Sequence, residues 1–269
     1  MKKLFVSDLD GTLLNENHEL DEDGIRSINM LLDNDYTVVL ASGRAYELIR
    51  PFHTKLGLKT PIIANNGASI VDINDNYLYN KTINDKDVQY VLDYAFENNI
   101  DFLIHTNSQV YMYGENEFIL QKENMLNDEG KLLHKRVYNR ESLSEVCDAT
   151  KILLLVNNCL DKKEFHQKYL RKNKNINVLA SDIYLLDIMA KDVDKYNAIL
   201  KYMQLDPHDH LTTIGDNEND LLMIKEADIG IAMKNGVDSV LKEADFISPK
   251  TNKDAGHKSA VEYLIKGEK

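Results

Sequence analysis

The sequence predicts an α/β protein whose parallel-sheet core is built from both ends of the chain, with an α+β domain inserted between them. Residues 1–64 alternate apolar runs with segments of helical spacing, and this β-α-β-α-β order implies a parallel sheet with right-handed crossovers. Residues 83–187 change to a mixture of short strands and helices, and the α/β alternation returns afterwards. We therefore assign residues 1–82 and 188–269 to the core and residues 83–187 to the inserted domain.

The individual elements follow from hydrophobic periodicity. Uninterrupted apolar runs indicate strands that are buried on both faces, whereas apolar residues three and four apart indicate helices. In the first part of the chain, the predicted strands are 4–6, 38–41 and 61–64, and the predicted helices are 25–32 and 47–56, the latter disturbed by Pro51.

The inserted domain is preceded by a predicted hairpin, whose strands 69–71 and 77–79 flank an Asn- and Asp-rich turn. Within the insertion, the predicted strands are 102–104, 110–113, 152–156 and 184–188, and the predicted helices are 88–96 and 164–170. After it, helices are predicted over 195–203, from 218 onward and over 237–244, with strands over 211–214 and 228–232.

Composition restricts the function classes. The 269 residues are 43% hydrophobic and 28% charged, as in globular proteins, with a net charge of -12 and a pI of about 5.1. This acidity argues against nucleic acid or an anionic membrane as the main partner, because both require a basic face. Cys147 and Cys159 lack metal-site spacing, and the apolar run after the first lysines is too short for a signal peptide. We expect a cytoplasmic protein, monomeric or weakly self-associating.

Two acidic motifs far apart in sequence each follow a predicted strand. Asp8-Leu9-Asp10-Gly11-Thr12 follows strand 4–6, and Gly215-Asp216-Asn217-Glu218-Asn219-Asp220 follows strand 211–214. Ligands of open α/β sheets bind in the crevice beyond the carboxyl ends of the strands, so the motifs are expected to meet there. Their carboxylates would repel one another without a cation, and Mg²⁺ suits such oxygen ligands where phosphate is handled.

The residues of the first motif permit phosphoryl transfer. The carboxylate of Asp8, beside a metal ion, can attack phosphorus and form an aspartyl-phosphate. Asp10 can protonate the leaving alcohol and then take a proton from the attacking water. Gly11 allows the tight turn that brings backbone N–H groups near phosphate.

Other polar residues at strand ends and helix starts suit the same chemistry, although each alone also fits an ordinary turn, helix cap or surface position. Phosphate oxygens could be held by Ser42, by the N–H of Gly43 and by the amide of Asn219, and Lys195 could neutralise the transferring group. Asp216 is a candidate metal ligand, and Asp220 could orient the metal's water ligands or Lys195.

At these residues the chain resembles the haloacid dehalogenase-like phosphatase superfamily, and within it the Cof-type branch. Four motifs occur in the family's order: Asp8 to Thr12, Ala41-Ser42-Gly43-Arg44, Lys195, and Gly215-Asp216 with Asn219-Asp220. Residues 63–68 and 230–233 also look like this branch. The resemblance implies a Rossmann-like parallel-sheet core with an inserted α+β cap domain, the large C2-type cap that this branch carries between the serine and lysine motifs.

The resemblance also implies residue roles. Asp8 would be the nucleophile and Asp10 the acid/base. Mg²⁺ would be held by Asp8, the backbone carbonyl of Asp10, and Asp216. Phosphate would contact Ser42, the backbone of Leu9 and Gly43, Lys195 and Asn219. Substrates would be small phosphate esters, often sugar phosphates, whose leaving groups are chosen by cap residues; the candidates are His105, Asn107, Tyr111, Tyr113 and Tyr184.

Several points stay open at the level of sequence. Four residues depart from those usual in the family: Tyr196, Lys234, Gly236 and His257. None of these departures removes a catalytic group, but they could change the shape of the pocket. A sugar phosphomutase on the same scaffold and a non-enzymatic phospho-aspartate signalling module are alternatives to the phosphatase. An Asp-x-Asp glycosyltransferase would leave Lys195 and the second acidic motif without a role.

Overall fold

The computed structural model describes residues 1–107, 109–120, 134–143, 146–156, 160–182 and 184–267. The chain divides into two compact units. The first contains Met1–Tyr79 and Asp194–Lys269, and the second contains Asn80–Val193. The sequence-based limits of the inserted domain, residues 83 and 187, fall inside the second unit. Cys159 lies outside the described residues.

Strands and helices alternate along most of the chain. Its first part contains β1 (Lys3–Ser7), α1 (Glu22–Asp33), β2 (Tyr36–Leu40), α2 (Tyr46–Lys55), β3 (Ile62–Ala64), β4 (Ser69–Val71) and β5 (Tyr77–Asn80). The second unit contains α3 (Asp85–Glu97), β6 (Asp101–Thr106), β7 (Val110–Tyr113), α4 (Glu117–Leu120), β8 (His134–Arg136), β9 (Ala149–Leu155), α5 (Leu160–Leu170), β10 (Ile176–Asp182) and β11 (Leu185–Ala190). The last part contains α6 (Lys195–Leu205), β12 (His210–Gly215), α7 (Leu221–Glu226), β13 (Ile229–Ala232), α8 (Asp238–Glu243), β14 (Phe246–Ile247) and α9 (Gly256–Gly267).

A five-stranded parallel sheet in the order β14-β13-β12-β1-β2 forms the centre of the first unit. β1 pairs in parallel with β12 and β2, and places Ser7 opposite Ile214. Helices cover both faces of the sheet, because Phe5 clusters with residues of α1 and α9, and Leu4 and Val6 cluster with residues of α6 and α7. This two-sided burial accounts for the uninterrupted apolar run, and each buried large aliphatic side chain contributes about 1.5–3 kcal/mol.

The third predicted strand does not extend the parallel sheet as the β-α-β-α-β pattern implied. β3 meets the sheet through a single parallel bridge between Ala41 and Ile63. It then pairs antiparallel with β4 in a separate three-stranded sheet, β3-β4-β5. The chain reverses direction because residues 65–67, directly after β3, all have positive φ.

The second unit is built on a six-stranded sheet in the order β10-β11-β9-β6-β7-β8. Its described pairs are antiparallel, except that β7 and β8 run parallel. Helix α3 begins after Asn84, whose side chain accepts a hydrogen bond from the Lys86 N–H, and its Phe96 ring packs edge-on against Phe102 of β6. This arrangement is the α+β domain that the change of pattern predicts. No helix in the described part of the chain is long and apolar enough to span a membrane.

Candidate active site

The two acidic motifs meet at one edge of the parallel sheet. Asp8 follows β1 and Asp216 follows β12, and these neighbouring parallel strands end side by side. Three residues after Asp8 the chain turns sharply at Gly11, where φ is +77°. A Cβ atom on Gly11 would lie 2.2 Å from Asp216 Oδ2, so only glycine leaves room for that carboxylate. The sequence therefore needs glycine here for both conformation and space.

Three carboxylates form a compact cluster at this edge. One oxygen of each of Asp8, Asp216 and Asp220 lies within 4.8 Å of the others. Burial raises the pKa of Asp8 to about 7, and the charge of Asp220 adds to the shift while Lys195 opposes it. Burial and the charge of Asp8 raise the pKa of Asp216 to about 8. The cluster fits a hard divalent cation such as Mg²⁺, because it offers only oxygen ligands and its mutual repulsion favours added positive charge.

Lys195 lies inside the cluster and binds two of the carboxylates. It is the first residue of α6, its side chain is fully buried, and its Nζ donates to Asp8 Oδ1 and to Asp220 Oδ1, both at 2.6 Å. Burial alone would lower the pKa of Lys195, but the charges of Asp220 and Asp8 raise it above its ordinary value. The lysine therefore stays a cation where a phosphoryl group would carry negative charge.

The second acidic motif is held by its own backbone. Asp220 Oδ2 accepts hydrogen bonds from the N–H groups of Asp216 at 3.0 Å and Asn217 at 3.1 Å. Gly215 leaves space for this contact, because a Cβ atom there would lie 2.5 Å from the Asp220 Cβ. Asp220 thus contacts Lys195 with one oxygen and fixes the Asp216 backbone with the other. These two contacts explain why Asp220 follows Asp216 by four residues.

Asp10 has different surroundings from Asp8. Arg44 binds its carboxylate with two groups, Nε to Oδ2 at 2.7 Å and Nη2 to Oδ1, and His18 Nδ1 lies 2.8 Å from Oδ1. Burial would raise the pKa of Asp10, but the hydrogen bonds and charge of Arg44 lower it below its ordinary value. The sequence contains Arg44 in the Ser-Gly-Arg motif, yet nothing in the spacing assigns it to Asp10.

The residues expected to hold phosphate lie along the same edge. Ser42 follows β2, beside β1, and is 1% exposed; its Oγ accepts from the Arg44 N–H at 3.1 Å. Gly43 follows it, and Leu9 is buried at the start of the turn after Asp8. Asn219 donates from Nδ2 to Asn66 Oδ1 at 2.9 Å. The structure thus brings every predicted core residue into the first unit, whereas the cap candidates lie in the second unit and stay predictions.

Two other residues that the motifs did not assign contact this edge. Asn235 Nδ2 donates to the Gly11 carbonyl at 2.8 Å and lies 3.4 Å from Asp216 Oδ2. His257 is buried beneath β1, with Nε2 3.1 Å from Ser7 Oγ and Nδ1 2.8 Å from Ser27 Oγ. Ser7 Oγ in turn donates to the Asp8 carbonyl. A polar residue at position 257 therefore has a structural reason in this chain, since it joins α9 to α1 and β1.

The other departures from the family pattern lie near the site or in the core. Gly236 packs against the Asp216 backbone, since a Cβ atom there would lie 3.2 Å from the Asp216 carbonyl oxygen. Tyr196 is partly buried against the apolar cluster that contains Leu4 and Val6. Lys234 is exposed. None of these replaces a residue of the carboxylate cluster.

Residues 5–256 match the sequence model of the haloacid dehalogenase-like hydrolase family. The chain is 27% identical to a 5-amino-6-(5-phospho-D-ribitylamino)uracil phosphatase of Bacillus subtilis, over 98% of this chain and 96% of the relative. It is 25% identical to the Bacillus subtilis phosphatase YwpJ, over 98% of this chain and 100% of the relative. The solved structure of a haloacid dehalogenase-like hydrolase from Bacteroides thetaiotaomicron superposes on this chain with a TM-score of 0.80 at 26% identity. The superposition covers 98% of this chain and 100% of the other.

These similarities cover nearly the whole chain, including the inserted unit. They confirm the predicted fold class, the resemblance to Cof-type haloacid dehalogenase-like phosphatases, and the expectation of a phosphatase enzyme. The chain belongs to the haloacid dehalogenase-like hydrolase family.

Proposed function

We propose that this chain is a Mg²⁺-dependent phosphatase that hydrolyses small phosphate monoesters through an aspartyl-phosphate on Asp8. The observation that carries the proposal is the buried contact of Lys195 with Asp8, 2.6 Å long, beside Asp216 at the carboxyl edge of the sheet. A nucleophilic carboxylate and a fixed cation are thereby held together where a phosphoryl group can bind.

The expected Mg²⁺ ligands are Asp8, the backbone carbonyl of Asp10, and Asp216, and Asp220 orients the site without binding the ion. When bound, Mg²⁺ supplies positive charge that favours the ionised carboxylates and offsets the charge of the phosphoryl oxygens. Phosphate is expected to bind Ser42, the backbone of Leu9 and Gly43, Lys195 and Asn219.

The reaction has two halves. In the first, a carboxylate oxygen of Asp8 attacks phosphorus, the P–O bond to the leaving group breaks, and Asp10 donates its proton to the leaving oxygen. In the second, water attacks phosphorus, gives a proton to Asp10, and breaks the bond between phosphorus and Asp8 to release inorganic phosphate. Lys195 stays charged throughout and holds one oxygen of Asp8 in place.

Asp10 must change partners during this cycle. Its carboxyl, bound by Arg44, has a lowered pKa and is therefore ionised at neutral pH, so that it can accept a proton but has none to donate. The second half-reaction needs this base, whereas the first needs a protonated carboxyl. Protonation of the leaving group thus requires that the Arg44 contact loosens when substrate binds.

The substrate class that we propose is phosphate esters of sugars or sugar alcohols. Support comes from the relative in Bacillus subtilis that is named for a phosphorylated ribitylamino compound and that is 27% identical over 98% of this chain. The resemblance to the Cof-type branch points to the same class of leaving group.

Phosphate release from a panel of esters tests the proposal. The panel contains sugar phosphates, 5-amino-6-(5-phospho-D-ribitylamino)uracil, a nucleoside monophosphate and an aryl phosphate, each assayed with Mg²⁺ and with EDTA. We expect Mg²⁺-dependent release that Asp8→Asn abolishes and that Asp33→Asn, at an exposed aspartate of α1, leaves unchanged. Full activity of Asp8→Asn would exclude the aspartyl-phosphate mechanism. Transfer to a second hydroxyl without free phosphate would indicate a mutase.

A further inference from the structure

The turn that follows β3 consists of three residues in a conformation that most side chains avoid. Asn65, Asn66 and Gly67 have φ values of +50°, +55° and +95°. Asparagine is among the few non-glycine residues that adopt this region with any frequency, and a run of three is held only where surrounding contacts enforce it. This asparagine turn belongs to the family-like segment 63–68, to which sequence reasoning gave no role.

Backbone hydrogen bonds fasten the asparagine turn to the serine motif. The Asn66 N–H donates to the Ser42 carbonyl at 3.0 Å, and the Asn65 N–H donates to the Arg44 carbonyl at 2.8 Å. Gly43 lies directly against the turn, because a Cβ atom on it would come within 2.9 Å of Asn66 Oδ1. The position of the Ser42–Arg44 loop therefore depends on the turn.

The side chain of Asn66 fixes the amide of Asn219. Asn66 is fully buried, and its Oδ1 accepts from Asn219 Nδ2 at 2.9 Å. A primary amide has two N–H groups, so this bond selects which end of the Asn219 amide points toward Asn66 and leaves the second N–H for another acceptor. That acceptor would be a phosphate oxygen in the proposed reaction.

The same turn also contacts the start of the helix that carries Lys195. A Cβ atom on Gly67 would lie 2.2 Å from the Asp194 carbonyl oxygen and 3.1 Å from the Ala198 Cβ. Asp194 is the residue on which α6 begins, and its side chain accepts from the Asn197 N–H. The turn thus touches three separate segments of the site, the serine loop, the lysine helix and the Asn219 turn.

We propose that Asn66 is a positioning residue that sets the phosphate-binding amide of Asn219 relative to the Ser42–Arg44 loop, acting through its bond to Asn219. This inference rests on the proposed phosphatase function. Asn66 does not contact phosphate; it orients the amide that does and holds the serine loop against it.

The test compares Asn66→Gly with Asn65→Gly. Both variants keep a residue that accepts positive φ, but only the first removes the bond to Asn219, since Asn65 Oδ1 has no hydrogen-bond partner among the described residues. Removal of one hydrogen bond to the amide should weaken binding of inorganic phosphate by about 2- to 12-fold. We expect kcat/KM to fall by at least as much, and Asn65→Gly to stay near wild type in both.

Two further measurements separate positioning from general damage. The rise in Tm that Mg²⁺ produces should be the same in Asn66→Gly and wild type, because the carboxylate cluster is untouched. Asn66→Gly should have little added effect in an Asn219→Ala background, because its partner is already absent. Additive losses, or equal phosphate affinity in Asn66→Gly and wild type, would overturn the proposal. Failure of the wild type to release phosphate from any ester would instead refute the phosphatase function, independently of the variants.

Discussion

Replacing Lys195 with methionine should destabilise the first unit strongly and in a pH-dependent way. The substitution removes the cation that lies 2.6 Å from both Asp8 and Asp220, while the side chain keeps a similar length. Because removal of one partner from a buried ion pair costs about 3–5 kcal/mol, the variant should lose a large share of a typical folding free energy of about 5–15 kcal/mol. At about 2–4 °C per kcal/mol, the Tm of the first unit should fall by roughly 6–20 °C.

The pH dependence gives the sharper test. In the wild type, the folded pKa of Asp8, about 7, lies above the unfolded value of 3.8. This group's contribution to stability is therefore present at low pH and is lost as the pH rises from about 4 through 7. Without Lys195 the pKa of Asp8 rises further, so the difference between variant and wild type should be larger at pH 8.5 than at pH 5. Added Mg²⁺ should restore part of the stability that the variant loses at pH 8.5.

The assay is urea unfolding in EDTA, followed by circular dichroism at both pH values. Lys201→Met is the matched control, because Lys201 lies on the same helix α6 with an exposed side chain. We expect Lys201→Met to stay within about 0.5 kcal/mol of wild type. Equal losses for the two variants, or a loss in Lys195→Met that is the same at both pH values, would refute the reasoning.

Three other predictions follow from the same contacts. Gly11→Ala should weaken Mg²⁺ binding, measured by titration calorimetry, because its Cβ would displace the Asp216 carboxylate; Gly57→Ala has a similar φ but nothing within 4 Å, and should cost about 1–2 kcal/mol of stability without changing Mg²⁺ affinity. Mg²⁺ at about 100 times its Kd should stabilise the wild type by about 2.7 kcal/mol, and its effect on Tm should shrink from pH 8.5 to pH 5, where Asp8 and Asp216 must release protons. Burial lowers the pKa of His257 to about 3, so the free energy of unfolding of the wild type should fall, relative to that of His257→Leu, by up to about 1.4 kcal/mol per pH unit below pH 6.5. Denaturant unfolding measures this, and a stability difference between the two proteins that does not change with pH would contradict a neutral buried imidazole.

Much of the core could be predicted from sequence because its strands are buried on both faces. Leu4, Phe5 and Val6 form an apolar run with nothing polar in it, and the same holds for residues 38–41. Parallel strands also end at one edge, so polar residues directly after such runs had to lie together. The sequence predicts in this way that Asp8, Ser42 and Asp216 lie at one edge of the sheet, and the structure has each of them just after β1, β2 or β12.

The partners of these residues could not be predicted, because they depend on contacts between distant parts of the chain. Asp10 and Arg44 are 34 residues apart, Asn66 and Asn219 are 153 apart, and Ser7 and His257 are 250 apart. Periodicity reports on local structure only, and a neutral amide or imidazole carries no pattern that names its partner. The same limit explains β3, whose apolar run resembles a parallel strand although the turn after it directs the chain into another sheet.

The opposite pKa shifts of Asp8 and Asp10 give the proposed metal dependence a physical reason. The two residues are close in sequence, yet the pKa of Asp8 is raised to about 7 by burial and Asp220, and that of Asp10 is lowered by Arg44. Pairs of titratable groups with diverging pKa values commonly mark acid and base roles. Here the order is the reverse of what a nucleophile and a general acid need. In the proposed reaction Asp8 would need a cation in addition to Lys195 to be fully ionised at neutral pH, and Asp10 would need release from Arg44 to carry a proton. Neither group would therefore suffice without the changes that metal and substrate would bring.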